Sequence, residues 1–386
     1  MNTKICVYAI CKNEITFVDR WLESMSEADY IVVLDTGSTD GTYEKLKADP
    51  RVKVEQKIID PWRFDVARNE SMKLVPADAN CLVCTDLDEV FESGWTDILR
   101  RVWGEGEYLD ACVYTYVWSH DAQGRPERTS WYSKIHNRNW EWRYPVHETL
   151  EPLIPADQVR TLNAEGHIIL HHYPDASKPR TESYLSLVEL RKQEFPEDRF
   201  APMYLQQLYW QFDLNDKGVK ICEEVMDRWK DELPIREKVA SYSFKGLCYR
   251  DMHRSADAIK AWKQAIEIDP SYIEPYYFIM EEAWKYKDKT TANKIADSCI
   301  EKGSRYQVHF YMGFGDVDLY KMIATIYYYS FRMEDALVNI TKAWLLQPNR
   351  SDVLELKSLI ETKILAALEQ RAEASSLSLS DAVNGG

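Results

Sequence analysis

The sequence predicts an α/β domain built on a mostly parallel sheet, followed by an all-α domain of helical repeats. Three observations carry this. Short apolar runs alternate with amphipathic stretches over residues 1–100, polar clusters stand where those runs end, and from residue 181 the apolar period becomes wholly helical.

Ile5 to Cys11 reads as a buried strand, and Phe17, Trp21 and Met25 then recur at helical spacing. Tyr30 to Leu34 is a second strand, and Tyr43 and Leu46 mark a second helix. Val52 to Ile58 alternates as a third strand, Phe64 to Val75 reads as a helix, and Cys81 to Thr85 as a fourth strand. Sequential strands joined by helices pair in parallel. Such sheets bind ligands outside the carboxyl ends of their strands. Three polar clusters fall there: Lys12-Asn13-Glu14, Asp35 to Asp40, and Asp86 to Glu89.

Residues 104–180 are richer in aromatic and turn residues, with strand-like stretches at Cys112 to Trp118 and His167 to His172. They complete a first domain over 1–175, and the segment Pro174 to Pro179 reads as a linker. A helical domain follows over 181–368. Gly246, Tyr249, Ala258, Trp262, Ala265 and Pro270 fit a tetratricopeptide repeat. A frame shift of 34 brings Ala283, Ala292, Ala296 and Cys299 into register, and a further 44 brings Ala324, Tyr327, Ala336, Ile340, Ala343 and Pro348. A degenerate earlier unit surrounds Tyr209, Gly218 and Cys222. The polar end, 375–386, reads as a disordered tail.

At 386 residues the chain exceeds one typical core, and 45% hydrophobic with 29% charged residues is a globular composition. A net charge of −15 disfavours nucleic acid and anionic membrane surfaces as partners. The eight cysteines show neither disulfide-framework nor zinc-ribbon spacing, which indicates reduced thiols and a cytoplasmic location. Cys81 and Cys84, three apart on a strand, face opposite ways and pack rather than react. No apolar stretch reaches the roughly 18 residues of a membrane span, so no membrane insertion is expected.

The apolar run from Leu82 ends in Asp86-Leu-Asp88. Side chains two apart on an extended segment point the same way. Both carboxylates can then reach one hard cation that keeps positions open for phosphate oxygens. An acidic turn is the plainer alternative. In Asp35-Thr-Gly-Ser-Thr-Asp40-Gly-Thr42 the carboxylate can accept from a base or ribose, while Gly37 and Gly41 allow close backbone approach. Asp65, Arg68 and Asn69 stand at i, i+3 and i+4 and share a helix face. Asp65 and Arg68 form either an intrahelical ion pair or a guanidinium presented to a diphosphate.

Taken together, Lys12-Asn13-Glu14, Leu34 to Thr42, Ala67-Arg68-Asn69 and Asp86-Leu-Asp88 resemble the family 2 glycosyltransferases, which have the GT-A fold. The resemblance implies a UDP-sugar donor and Mn2+ or Mg2+ as cofactor. It makes Asp35 a uridine contact, Asp65 and Arg68 parts of the nucleotide pocket, with Asn13, Glu14 and Asn69 beside them, Asp86 a ribose or metal contact, and Asp88 the principal metal ligand. One departure is Thr36, where the family often carries a second acid.

Val146-His147-Glu148, then Leu170-His171-His172-Tyr173, then helical repeats, are similar to the peptide S-glycosyltransferases of glycocin biosynthesis. In that layout His172 stands where a third metal ligand can arrive, since imidazole suits manganese beside carboxylates; a satisfied core histidine is the alternative. Inverting transfer needs a general base, for which Glu148 and His147 are the candidates. Adjacent strand residues point oppositely, so one of them faces the site. Asp110 and Asp121 are further candidates for acceptor-side carboxylates. Of Trp118, Trp131, Tyr132, Trp140 and Trp142, one or two are expected at the acceptor mouth and the others in the core.

The expected function is therefore metal-dependent, inverting transfer of a hexose from a UDP-sugar to a peptide or protein side chain docked on the repeats. The same chemistry on a surface glycan, a lipid-linked sugar or a modified nucleic-acid base is the alternative. A UDP-sugar-binding repeat scaffold without turnover is the non-enzymatic one. The repeats also offer a surface for a homo-oligomer.

Overall fold

The computed structural model describes residues 3–104, 109–121, 123–175, 182–303 and 316–384. The chain divides into two compact units, Met1–Pro196 and Glu197–Gly386. The first begins with β1 (Ile5–Cys11), α1 (Val18–Met25), β2 (Tyr30–Asp35), α2 (Thr42–Ala48), β3 (Val52–Gln56), α3 (Phe64–Met72) and β4 (Cys81–Cys84). It continues through β5 (Glu89–Phe91), α4 (Trp95–Gly104), β6 (Ala111–His120), β7 (Pro126–His136), β8 (Trp140–Arg143), β9 (Thr149–Pro152), β10 (Thr161–Asn163), β11 (Ile169–His172) and α5 (Glu182–Glu194).

The main sheet runs β3-β2-β1-β4-β7-β6-β11-β5, with β10 also on β6. β1 pairs in parallel with both β2 and β4, and β2 with β3. Cys11 lies beside Asp35, and Tyr8 beside Cys84, so the polar clusters that follow β1, β2 and β4 emerge at one edge. β7 enters antiparallel to β4 and β6, and β11 runs parallel to β6.

Apolar cores cover both faces of this sheet. α1 buries Val18, Trp21, Leu22 and Met25, its i, i+3, i+4 and i+7 stripe, in the same cluster as Val7, Cys81 and Trp95. Cys84 instead packs with Tyr8, Val75 and Trp142 on the other face. Cys81 and Cys84 thus face opposite ways, as their spacing implies. Both are fully buried, and burial pushes the Cys84 thiol up to about 11, so neither is a ready nucleophile.

The second unit is all helical: α6 (Phe200–Gln211), α7 (Asn215–Trp229), α8 (Ile235–Asp251), α9 (Ser255–Ile268), α10 (Glu274–Lys285), α11 (Lys289–Lys302), α12 (Asp316–Tyr329), α13 (Met333–Leu346) and α14 (Ser351–Asn384). Successive helices pair as hairpins, α6 with α7, α8 with α9, α10 with α11, and α12 with α13. Each hairpin turns through a left-handed residue: Asp213, His253, Lys287 and Phe331. The next N–H in each returns to the first helix, Leu214 to Tyr209 O, Arg254 to Tyr249 O, Asp288 to Ala283 O and Arg332 to Tyr327 O. From His253 to Lys287 and Phe331 the turns repeat at the 34 and 44 shifts read from the sequence, and Asp213 precedes His253 by 40. Gly218, Ala258, Ala292 and Ala336, each five residues after its turn, are buried small residues that let the two helices approach. A Cβ on Gly246 would collide with the Trp262 indole, which shows why a small residue stands there.

Two boundaries differ from the sequence expectation. The units separate at Pro196, because α5 grips the first one: Arg191 donates to Val146 O at 3.0 Å and to His147 O at 2.8 Å, and Glu194 pairs with Arg63 at 2.7 Å. Of the linker, 176–179 lies outside the described residues. α14 continues to Asn384, through most of the stretch read as a disordered tail. Its many Ala, Leu and Glu residues are strong helix formers.

Candidate functional site

The loops after β1 and β2 are sewn together. Asn13, left-handed at φ 56°, donates its N–H to Ser38 Oγ at 2.9 Å and accepts from the Thr39 N–H through Oδ1 at 2.8 Å. The Glu14 N–H donates to Thr42 Oγ1 at 2.8 Å, and the Ile15 N–H to Asp40 Oδ2 at 3.1 Å. Thr36, at the place of the family's second acid, closes the loop by donating to Cys11 O at 3.0 Å.

Asp35 organises this loop. Its Oδ1 accepts from the Gly37 and Ser38 N–H groups and from Gln56 Nε2, each at 2.9 Å. Burial would raise its pKa, but these donors outweigh burial and hold the carboxyl below its ordinary range. Asp35 has no exposed surface, so its carboxylate acts on the loop it shapes. Gly37, at φ 108°, takes a conformation closed to ordinary side chains.

Arg68, on α3, is the hub. Its Nε donates to Glu148 Oε1 at 2.6 Å, its Nη1 lies 2.9 Å from Asp86 Oδ1, and its Nη1 also reaches Cys84 Sγ at 3.3 Å. Its guanidinium stands 5.0 Å from the Trp142 ring centroid. Burial opposes its charge, and Asp86, Cys84 and Glu148 more than restore it. For Asp86, burial is likewise overcome by Arg68 and Lys134, which hold its carboxyl well below the usual range.

Helix α3 does not pair Asp65 with Arg68. Asp65 instead takes Arg63 in a two-pronged pair at 3.0 and 2.9 Å, since Arg63 approaches from the extended residue before the helix. Asn69 commits its amide to strand β8, donating to Trp142 O at 2.8 Å and accepting the Trp142 N–H at 2.9 Å. Both residues fix the elements around Arg68.

On β11, His172 Nε2 lies 3.2 Å from Asp88 Oδ2. Burial would lower the His172 pKa, but the bond and charge of Asp88 raise it above the ordinary value. Asp86 turns the other way, toward Arg68 and toward Lys134 Nζ at 3.5 Å. Among the described residues no three His, Cys, Asp or Glu side chains converge as a metal site. The Asp88–His172 pair does suit one divalent cation. Ligand atoms about 3 Å apart span one edge of an octahedron with bonds of about 2.1 Å, and Mg2+ commonly takes one or two carboxylates and completes its shell with water and phosphate.

His147 and Glu148 do not lie on a strand. Residues 144–148 form the connection between β8 and β9, where Pro145 and the positive φ of Tyr144 (78°) and His147 (48°) prevent extension. The two side chains still diverge, Glu148 to Arg68 and His147 to the Tyr184 hydroxyl on α5. Asp110 is buried and accepts from Asn137 Nδ2 at 2.7 Å and the Arg160 N–H at 3.0 Å, while Asp121 binds Arg125 at 2.7 Å within its own turn. Both are committed to structure. Trp142 is buried and Trp131 is exposed. Trp118 and Tyr132 stand near the site, with the Trp118 ring 6.2 Å from His172 and the Tyr132 ring 5.1 Å from Lys134 Nζ.

Lys134 and Glu89 escaped the sequence reading. Glu89 was legible only as the last residue of the Asp86 to Glu89 cluster. Lys134 stands in a strand of aromatic and β-branched neighbours, where a lone lysine signals nothing until its partners are known.

Residues 6–152 match the glycosyl transferase family 2 profile. The match points to a glycosyltransferase. The family 2 segment holds the Asn13, Asp35, Arg68, Asp86, Asp88 and Glu148 positions and ends at Pro152, so His172 and α5 lie beyond it. No curated protein matches the chain. Among solved structures it is similar to TTC0263, a thermophilic TPR protein of Thermus thermophilus, with 16% identity over 48% of this chain and 90% of that one and a TM-score of 0.33. It is also similar to Pseudomonas aeruginosa pilF, with 8% identity over 46% and 73% and a TM-score of 0.36. A third is YrrB, described as a TPR protein with an unusual peptide-binding site, with 10% identity over 46% and 82% and a TM-score of 0.35. Similarity this slight carries no functional weight. No helix among the described residues is long and apolar enough to cross a membrane.

Proposed function

We propose that the chain is a metal-dependent, inverting glycosyltransferase that moves a hexose from a UDP-sugar to a peptide or protein side chain. One observation supports this above the rest. At the carboxyl edge of the sheet, beside a glycine-containing loop ordered by Asp35, Asp88 and His172 converge at 3.2 Å while Arg68 binds Asp86 and Glu148. That arrangement offers two ligands for a cation that would meet a diphosphate, a buried guanidinium and a carboxylate within one site.

In this proposal uridine lies against the loop from Asp35 to Thr42, and Asp86 accepts from the ribose. Asp88 and His172 hold Mn2+ or Mg2+, which when bound neutralises charge on the leaving diphosphate. Glu148 is the general base. Arg68 fixes it through Oε1, and no described residue bonds Oε2, which is left to accept the proton of the acceptor nucleophile. The nucleophile attacks the anomeric carbon opposite the leaving UDP and inverts it. His147, tied to Tyr184 and held at its carbonyl by Arg191, positions the loop that carries Glu148. The helical repeats supply acceptor recognition, as an extended chain suits such a surface.

UDP release from a panel of UDP-sugars with Mn2+ or Mg2+ tests this. We expect slow release with one sugar that is abolished by chelator and by Asp88→Asn. A folded protein that binds UDP-sugar but neither releases UDP nor transfers sugar to peptides would instead be the scaffold.

A further inference from the structure

Lys134, on β7, lies beneath the acidic motif and is 5% exposed. Its Nζ stands 2.8 Å from Glu89 Oε1 and 3.5 Å from Asp86 Oδ2. Glu89, 1% exposed, also accepts the Tyr116 hydroxyl at 2.8 Å and, through Oε2, the Asp86 N–H at 2.9 Å. Glu89 therefore fixes both the start of the motif and the ammonium beside it. Asp86, between Lys134 and Arg68, faces two buried cations, whereas Asp88 faces His172.

Asp86 to Glu89 is a turn closed by the Glu89 N–H on Asp86 O at 3.1 Å, and within it the two carboxylates face different partners. We propose that Lys134 is a positioning residue that holds Asp86 away from the Asp88–His172 pair, reserving Asp86 for the nucleotide and leaving the metal only two protein ligands. The inference rests on the metal reading of Asp88 and His172. Swinging Asp86 toward them would strip countercharge from two buried cations, a costly change in a low-dielectric site. With two protein ligands the cation binds weakly by itself and is completed by the donor's phosphate oxygens. Metal capture then depends on the nucleotide, which a preformed three-ligand site would not require.

The test uses the full chain as wild type, Lys134→Met, Lys134→Arg and the double variant Lys134→Met/Asp86→Asn. Mn2+ binding is followed by electron paramagnetic resonance with and without UDP, and UDP binding by calorimetry. In Lys134→Met we expect Mn2+ alone to bind at least tenfold more tightly, because Asp86, then held by Arg68 alone, turns more easily toward the pair, while UDP binds less tightly. Lys134→Arg should behave as wild type, and adding Asp86→Asn should cancel the gain. A merely structural lysine would weaken both ligands together. Unchanged or weaker Mn2+ binding in folded Lys134→Met, or a gain that survives Asp86→Asn, overturns the proposal. Should Lys134→Met not fold, Lys134→Gln, which keeps a donor for Glu89 without the charge, takes its place with the same expectations. If Asp88→Asn leaves wild-type Mn2+ binding with UDP untouched, the metal reading itself fails and the inference with it.

Discussion

Arg68 Nε and Glu148 Oε1, eighty residues apart in sequence, meet at 2.6 Å with both side chains largely buried. The pair joins helix α3 to the turn between β8 and β9, and through Arg68 it joins that turn to Asp86. The proposed base is thereby placed by the residue that faces the acidic motif. Glu148→Gln keeps an acceptor for Arg68 and should preserve the fold and UDP binding while lowering transfer by roughly 10²–10⁴-fold, the usual contribution of a general base. Arg68→Met leaves carboxylates without their cation and should destabilise the first unit by about 3–5 kcal/mol. Calorimetric UDP titration and urea unfolding distinguish the two; equal loss of transfer and stability in Glu148→Gln would remove it from the chemistry.

The Asp88–His172 contact sets a pH dependence for metal binding. The His172 pKa is raised above its ordinary value of 6.5. In the metal-free protein the charged pair therefore contributes stability below about pH 6.5, and that contribution is lost as pH rises through the raised value. Metal binding has the opposite sense, since a ligand imidazole must be neutral. Mn2+ affinity in the presence of UDP should fall as pH drops through the His172 pKa, with a proton released on binding. In His172→Gln the proton release should disappear, and buffers of different ionisation enthalpy in calorimetry would detect it.

His136 gives a separate acid signature. Its Nδ1–H donates to Asn137 O at 2.6 Å, so Nε2 accepts the Tyr8 hydroxyl at 2.7 Å, and that oxygen in turn accepts Trp142 Nε1–H at 2.8 Å. Burial drives the His136 pKa down to about 4, only partly offset by the Asn137 bond. Between pH 6.5 and 4 the unfolded chain takes a proton that the folded chain refuses. Stability should fall with acid across that window by about 3 kcal/mol from this group, at roughly 1.36 kcal/mol per pKa unit. His136→Gln should lower stability near neutrality yet flatten the slope between those pH values. An unchanged slope in unfolding free energy against pH would show that His136 does not titrate this way.

How much of this was legible in the sequence depends on the range of the interaction. Strand and helix order came from local periodicity, and the repeat frame from small residues such as Gly218 and Ala258, so both could be read. The Asp86-x-Asp88 segment was visible because both acids sit within three residues. What they face was not. Lys134 is forty-eight residues from Asp86, and Asp86 to Glu89 folds as a turn, with the Glu89 N–H on Asp86 O at 3.1 Å, rather than the extended segment that period-two geometry assumes. Asp65 with Arg63, rather than Arg68, reflects a preceding extended residue that helical spacing ignores. The break at Tyr144 and His147 depends on positive φ at non-glycine residues, for which neither residue type is a signal.

Phe331 tests the repeat turns. It occupies the same left-handed position as Asp213, His253 and Lys287, at φ 61°, and is 81% exposed. That conformation costs a bulky side chain about 1 kcal/mol, and an exposed ring recovers little of it through burial. Glycine adopts it freely but loses more chain entropy on folding, whereas asparagine tolerates it and remains more restricted than glycine when unfolded. Phe331→Asn should therefore raise the stability of the helical unit by roughly 0.5–1 kcal/mol, with Phe331→Gly close to neutral. Replacing the same residue by Val, which is stiff at χ1 and poorly suited to positive φ, should lower it by a similar amount. Urea unfolding followed by helical circular dichroism would measure all three, and a loss of stability in Phe331→Asn would mean that the exposed ring makes a stabilising contact outweighing its strain.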